Sequence, residues 1–320
     1  MRTDTNSTAA GSAALAAGSR NLGRGVWRLA DPTISLASLA SMLLGACAAA
    51  AAGPLNRGWL ALTVIGILAL ETAKNASGEI FDYDSGTDLR VAPEDRSPFS
   101  GGKRVLVDGV LTRRQTVTVA AVGYALGIGA GLVIGWLREP AVLWIGLIGV
   151  AAAYSYHGPP LRLSYRGLGE LAVALCYGPL ICAGTYLVQR GEVPAEVWWL
   201  SIPLGLLIAA FLWLNEVPDA AADRASGKRT LVVRAGRRRA AAGFAVLGLA
   251  AFGTLAALPA LGLPLAVLAG GVAAVPYAVA AGILHRHWRR TARLVPAQAL
   301  ALASFVVYAL ATGSALLLVG

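Results

Sequence analysis

Two short stretches of the chain concentrate carboxylates and amides in patterns able to do chemistry. The first reads Glu71-Thr-Ala-Lys-Asn75-Ala-Ser-Gly-Glu79-Ile-Phe-Asp82-Tyr-Asp84-Ser-Gly-Thr-Asp88, so Glu71, Asn75, Glu79 and Asp82 stand at i, i+4, i+8 and i+11. On a helix these four share one face. The second reads Asn215-Glu-Val-Pro-Asp219-Ala-Ala-Ala-Asp223-Arg-Ala-Ser-Gly-Lys-Arg-Thr230. Asn215, Asp219 and Asp223 again share a helical face, with Pro218 expected in the first turn of a helix. Carboxylates packed so closely repel one another unless a cation stands between them. Hard oxygen donors with room for water suit Mg²⁺, which keeps several waters and is usually held by one or two carboxylates plus substrate phosphates. Basic residues follow each cluster: Lys103 and Arg104 behind the first, Arg224, Lys228 and Arg229 behind the second. They are candidate ligands for a diphosphate through charge-assisted hydrogen bonds.

The elements that must position these groups are membrane helices. Of 320 residues, 57% are hydrophobic and only 14% charged, and mean hydropathy is +0.64; soluble domains carry about 25% charged residues. A water-soluble enzyme is excluded. Apolar runs long enough to cross a bilayer fall at 34–53, 58–77, 116–136, 140–156, 168–188, 197–215, 240–259, 262–284 and 295–319. The expected fold is therefore an all-α membrane protein, nine transmembrane helices in a bundle. Of the 27 Lys and Arg residues, all but Arg57, Arg138 and Arg190 lie in the N-terminal stretch, in alternate connections or, for Lys74, in the last turn of the span that leads into one. The positive-inside rule then puts the N-terminus in the cytoplasm, the C-terminus outside and both acidic clusters on the cytoplasmic face of the cell membrane. The net charge of +10 follows from that topology and gives no reason to expect nucleic acid as a partner.

Residues 1–33, rich in Ala, Gly, Ser and Thr, are expected to form a disordered or surface-lying arm ahead of a single domain over 34–320. Cys47, Cys176 and Cys182 fall inside expected spans and read as small apolar core residues. Asn75 and Asn215 lie 140 positions apart, each with a carboxylate four residues on, Glu79 and Asp219. That spacing suggests two four-helix repeats plus one helix, with the acidic clusters facing each other across a central cavity.

At these residues the sequence resembles the UbiA superfamily of intramembrane prenyltransferases, and within it the branch that prenylates dihydroxynaphthoate for menaquinone. The segment Asp219-Ala-Ala-Ala-Asp223 matches the family's second D-x-x-x-D motif, with Asn215 and the Gly227-Lys228-Arg229-Thr230-Leu231 tail in register. Asn75, Asp82 and the Asp84-Ser-Gly-Thr-Asp88 tail fit the first motif, in which Glu79 stands where Asp is usual. The stretch Tyr154 to Glu170 is similar to the family's connection between the fourth and fifth helices.

The resemblance implies a catalytic set of Asn75, Glu79, Asp82, Asn215, Asp219 and Asp223, with Glu79, Asp82, Asp219 and Asp223 as Mg²⁺ ligands. The partners it implies are a prenyl diphosphate donor, a lipophilic acceptor and membrane lipid. Ionising the donor leaves an allyl cation that needs a dry pocket, and Tyr154, Tyr156 and Trp213 are candidates to stabilise it by their ring quadrupoles. His157 is a candidate base for an acceptor hydroxyl, and Glu71, deepest on the acidic face, is the residue to test for an unassigned role. Two other functions remain open on the sequence: a membrane terpene cyclase, in which the cation attacks its own chain, and a transporter. Against the latter, spans three to nine carry few ionisable residues at their centres, whereas ion coupling needs a path across.

Overall fold

Runs of Leu and Ala with β-branched residues scattered among them fold as helices in a solvent that offers no hydrogen bonds to the backbone. The computed structural model describes residues 21–319 and is all-helical apart from an isolated bridge between Ser97 and Ser100. In chain order the helices are α1 (21–30), α2 (Leu36–Ala51), α3 (Arg57–Asp84), α4 (Arg113–Leu137), α5 (Val142–Ser155), α6 (Gly169–Arg190), α7 (Ala195–Ala225), the short α8 (Leu231–Ala235), α9 (Arg237–Leu261), α10 (Leu265–His287) and α11 (Thr291–Val319). Seven of them, α3, α4, α6, α7, α9, α10 and α11, are long and apolar enough to cross a membrane. At the first and fourth expected spans the helices are shorter, 16 residues in α2 and 14 in α5.

Two helices overrun the expected ends in a way that matters for function. Helix α3, capped by the Asn56 side chain on the Trp59 amide, continues for 28 residues to Asp84. Helix α7 continues for 31 residues to Ala225, and Pro218 lies inside it rather than opening a new helix. Pro218 costs one backbone hydrogen bond at that turn, but the surrounding bundle holds the helix together, since α7 is buried along most of its length. The acidic clusters therefore sit on the last turns of continuous helices, not on loops.

Residues 1–20 of the expected N-terminal arm lie outside the described residues. Within 21–33 the chain is helical from 21 to 30, and Leu29 is fully buried against Ala76, Val105 and Leu111. In α6, Pro179 removes one helical N–H and the helix widens into a π turn over Cys176–Leu180. The Tyr177 carbonyl there accepts a hydrogen bond from the Ser41 hydroxyl of α2.

Helices meet where small residues let backbones approach. A methyl group added at Gly178 of α6 would lie 2.7 Å from Gly205 Cα and 2.8 Å from Ser201 O of α7, and one at Gly205 would collide with the Ala174 carbonyl. The α6–α7 contact is thus built on paired glycines. Gly205→Leu is expected to force the two helices apart, costing about 1–3 kcal/mol by overpacking. A lowered unfolding temperature in detergent is the readout, and an unchanged one would show that the helices separate freely.

Candidate active site

The C-terminal turns of α3 and α7 face one another across a polar chamber of about 220 Å³. Asn75 and Asp82 reach it from α3, and Asn215, Asp219 and Asp223 from α7. Asn75, Asp82, Asn215 and Asp223 are buried and Asp219 is half-buried. One ammonium joins the two helices: Lys228 Nζ lies 3.3 Å from Asp82 Oδ2 and 3.7 Å from Asp223 Oδ1. Burial works against the lysine's charge, but Asp223 and Asp82 outweigh it and hold its pKa well above the usual lysine range.

Asp82 is the most heavily engaged carboxylate. The Tyr165 hydroxyl donates to Oδ1 at 2.7 Å, and His157 Nε2 stands 3.5 Å from Oδ2. Tyr165 comes from the connection between α5 and α6, which folds over the site because Ser164 donates through both its amide and its hydroxyl to the Tyr156 carbonyl. The Arg229 amide donates to the Tyr165 carbonyl at 3.1 Å, tying that connection to the one after α7. His157 is pushed down to about 4, burial outweighing the attraction of Asp82, so its imidazole is neutral at physiological pH.

Asp219 accepts the Gly101 amide on Oδ2 at 3.1 Å, while its buried Oδ1 has no partner among the described residues. Asn215 Oδ1 is orphaned in the same way. Asp88 lines the chamber too, and burial together with the charges of Asp82, Glu79 and Asp219 pushes it up to about 8. These groups form a surplus of oxygen acceptors that protein donors leave unsatisfied. Among the described residues no three His, Cys, Asp or Glu side chains form a ready-made metal cluster.

Other residues singled out in the sequence have different surroundings. Glu79 does not line the chamber; its carboxylate accepts the backbone amides of Arg104 at 3.0 Å and Leu106 at 2.9 Å. The extra methylene of Glu over Asp reaches that loop and pins it. Lys103 lines the chamber and pairs with Asp31, whereas the Arg104 guanidinium turns to Asp108 at 3.3 Å and the Asp88 carbonyl at 3.1 Å. Arg224 donates to the Val233 carbonyl at 2.8 Å, and Arg229 is exposed outside the chamber. Asp84 is exposed and pairs with Arg113 at 2.7 Å. Of the aromatic candidates, Tyr156 lines the chamber, but Tyr154 packs edge-on against Phe81 with 42% of its surface exposed. Trp213 donates its indole N–H to the Ala240 carbonyl at 2.9 Å inside the bundle. Neither lines the chamber.

Next to the chamber, and sharing Lys74, Tyr156 and Tyr177 with it, is an open apolar cavity of about 530 Å³ between α3, α4, α5 and α6. Its walls include Leu62, Leu70, Ile134 and Leu143. From Lys74 to Leu62 it follows α3 for roughly 18 Å, twelve residues at about 1.5 Å each. A polar head chamber opening into a long greasy channel fits a molecule with a charged head and a hydrocarbon tail.

Known proteins share this architecture. Residues 38–306 match the UbiA prenyltransferase family. The chain belongs to that family. It is 32% identical over 259 residues to a 1,4-dihydroxy-2-naphthoate octaprenyltransferase of Mycobacterium tuberculosis, covering 81% of this chain and 85% of the relative. It is 27% identical over 245 residues to the protein of the same name from Bacillus subtilis, covering 75% and 76%. Among solved structures, a UbiA homolog from Aeropyrum pernix K1 aligns with a TM-score of 0.63 at 19% identity, over 91% of this chain and 97% of that one. A UbiA homolog from Archaeoglobus fulgidus bound to GPP and Mg²⁺ aligns with a TM-score of 0.58 at 16% identity, over 91% and 99%. The chain is thus an integral membrane prenyltransferase with the UbiA fold.

Several residues of this prenyltransferase's site carried no role in the sequence reading. Tyr165 and Asp88 lie within the motif stretches without a role that spacing gives them, and Lys74 and Tyr177 meet at the cavity junction only through the fold. An ionisable residue inside an apolar span is a signal of function, and Lys74 carried it. The Glu79 geometry yields a direct test. Glu79→Ala should speed amide hydrogen exchange at Arg104 and Leu106 about 10- to 100-fold, as expected for losing hydrogen bonds to a charged acceptor worth roughly 1.5–3 kcal/mol. Unchanged exchange would mean that other contacts hold the loop.

Proposed function

We propose that this chain transfers a polyprenyl group from its allylic diphosphate to an aromatic or other lipophilic acceptor at the cytoplasmic membrane face, releasing diphosphate and using Mg²⁺. The observation that carries the reading is the opposition of Asp82 and Asp223 across Lys228, at the mouth of an apolar cavity. The names of the M. tuberculosis and B. subtilis relatives support an aromatic acceptor of the dihydroxynaphthoate kind and a place in quinone biosynthesis. The A. fulgidus homolog, bound to GPP and Mg²⁺, supports the donor class and the metal.

The residues present fit Mg²⁺. Asp82, Asp88, Asp219 and Asp223 are hard oxygen donors, and the unpartnered Asp219 Oδ1 and Asn215 Oδ1 have capacity to spare. When bound, Mg²⁺ supplies Lewis-acid stabilisation of the charge that develops on the leaving diphosphate. Glu79, committed to the Arg104 and Leu106 amides, acts on this reading by shaping the wall. Lys228 and Lys103 contribute positive charge at the diphosphate, and removing such a preorganised group from a dry site is expensive for the transition state. Tyr165 orients Asp82. Tyr156, at the junction, presents its ring to the allyl cation as carbon–oxygen cleavage proceeds. The apolar cavity excludes water that would otherwise capture the cation as a prenyl alcohol. Nine membrane crossings, with α2 and α5 completing the seven long helices, and a cytoplasmic N-terminus belong to the same proposal.

Asp219→Ala and Asp223→Ala are each expected to lower kcat for diphosphate release by about 10²–10³-fold with little change in unfolding temperature. Chelation should abolish turnover, and Mg²⁺ should restore it. Full turnover in both variants would remove the carboxylates from the reaction. Mass spectrometry of products from a panel of prenyl diphosphates, with and without dihydroxynaphthoate, separates transfer from cyclisation. Prenylated acceptor is expected, and a terpene hydrocarbon formed without acceptor would overturn the assignment.

A further inference from the structure

Lys74 stands out among the polar groups that the donor-binding reading leaves without a role. It is the only basic residue, among those described, that lines both the polar chamber and the apolar cavity. Among the described residues no carboxylate lies within ion-pair distance of its Nζ, which donates one hydrogen bond, to the Tyr177 hydroxyl at 3.3 Å. Glu71, three residues earlier on the same helix, is held by the Ser38 hydroxyl at 2.8 Å and the Tyr177 hydroxyl at 3.0 Å. The Tyr177 hydroxyl, accepting from Lys74 and donating to Glu71, links the two side chains. An ammonium has three donors, so two remain for a ligand, in a place where an uncompensated charge is costly.

The surroundings narrow what that ligand is. Nζ lies 5.8 Å from the centroid of the Tyr156 ring and 5.7 Å from that of Tyr177, so two aromatic rings flank it. Lys74 precedes Asp82 by eight residues, roughly 12 Å along the helix axis. Helical side chains lean toward the N-terminus, which carries the lysine deeper still, away from the carboxylates where the diphosphate would be bound. The ligand group that meets Lys74 is therefore an anionic oxygen on a flat, otherwise apolar molecule.

Resting on the transferase reading above, we infer that Lys74 fixes the acidic oxygen of the aromatic acceptor, a carboxylate or phenolate, at the junction of the two cavities. Tyr156 and Tyr177 stack beside the acceptor ring, and Glu71 with Ser38 holds Tyr177 in place. Lys74 is then the residue that selects acidic aromatic acceptors over neutral ones. The alternative source of an anionic oxygen at this point is the diphosphate of the donor.

The test uses the purified full chain with Mg²⁺, a prenyl diphosphate, and either 1,4-dihydroxy-2-naphthoate or its decarboxylated analogue. Lys74→Met should raise KM for the naphthoate about 10- to 100-fold, the loss expected for a hydrogen bond to a charged group, and leave the donor KM within about 2-fold. The preference for the carboxylated acceptor, as a ratio of kcat/KM values, should collapse, and Lys74→Arg should restore most of it. Equilibrium binding of both acceptors, followed by tryptophan fluorescence without donor or metal, should show the same loss of preference. A raised donor KM with unchanged acceptor preference would assign Lys74 to the diphosphate and overturn the inference. Should Lys74→Met fail to fold, absent binding preference between the two acceptors in the wild-type chain would overturn it equally. Wild-type protein that prenylates neither acceptor would overturn the transferase reading itself, while the binding ratio would still report on Lys74.

Discussion

The structure depends on keeping carboxylates close together at the edge of a membrane. Asp82 and Asp223 arrive from different helices and would repel if nothing stood between them, and the Lys228 ammonium stands there, within 3.3 and 3.7 Å of the two. Leaving either partner alone at that depth would cost roughly 3–5 kcal/mol. One basic side chain thereby bridges α3 and the end of α7.

The remaining polar contacts divide between neutralising charge and positioning it. Tyr165, carried over the site by the connection after α5, fixes one oxygen of Asp82. Glu79 fixes the loop carrying Gly101, whose amide in turn donates to Asp219. The two motifs thus communicate through backbone amides as well as through Lys228. Asp219 Oδ1 and Asn215 Oδ1, buried without partners, mark where the protein leaves room for donors other than its own. The apolar cavity continues this division of labour: the chamber handles charge, the channel handles hydrocarbon, and Lys74, Tyr156 and Tyr177 occupy the boundary.

Helix continuity explains how such a site sits at the membrane edge. A span needs about 20 residues, whereas α3 has 28 and α7 has 31. The excess places Asn75, Asp82, Asn215, Asp219 and Asp223 on rigid helical turns beyond the most apolar stretch. Hydropathy windows stop where charge begins, which is why the expected spans ended at 77 and 215. Helical hydrogen bonding does not stop there, because the i+4 carboxylate spacing keeps those side chains on the buried face.

The sequence by itself determined that the chain is helical and membrane-embedded, since apolar runs of that length admit no other backbone solution in lipid. It also placed Asp219 and Asp223 on one face of α7, because i, i+4 spacing fixes a helical face whatever the helix packs against, but it did not single out Glu216, which lines the chamber with them. What it could not determine was the use of each charged side chain after packing. Glu79 turned from the chamber to a loop, Arg104 to Asp108, Arg224 to a carbonyl, and Tyr154 to the surface. Only the tertiary structure brought Lys228 between two motifs 141 residues apart and Lys74 beside Tyr177. A long side chain can reach several partners from one backbone position, and which of them lies within reach depends on contacts between distant segments that no local spacing encodes.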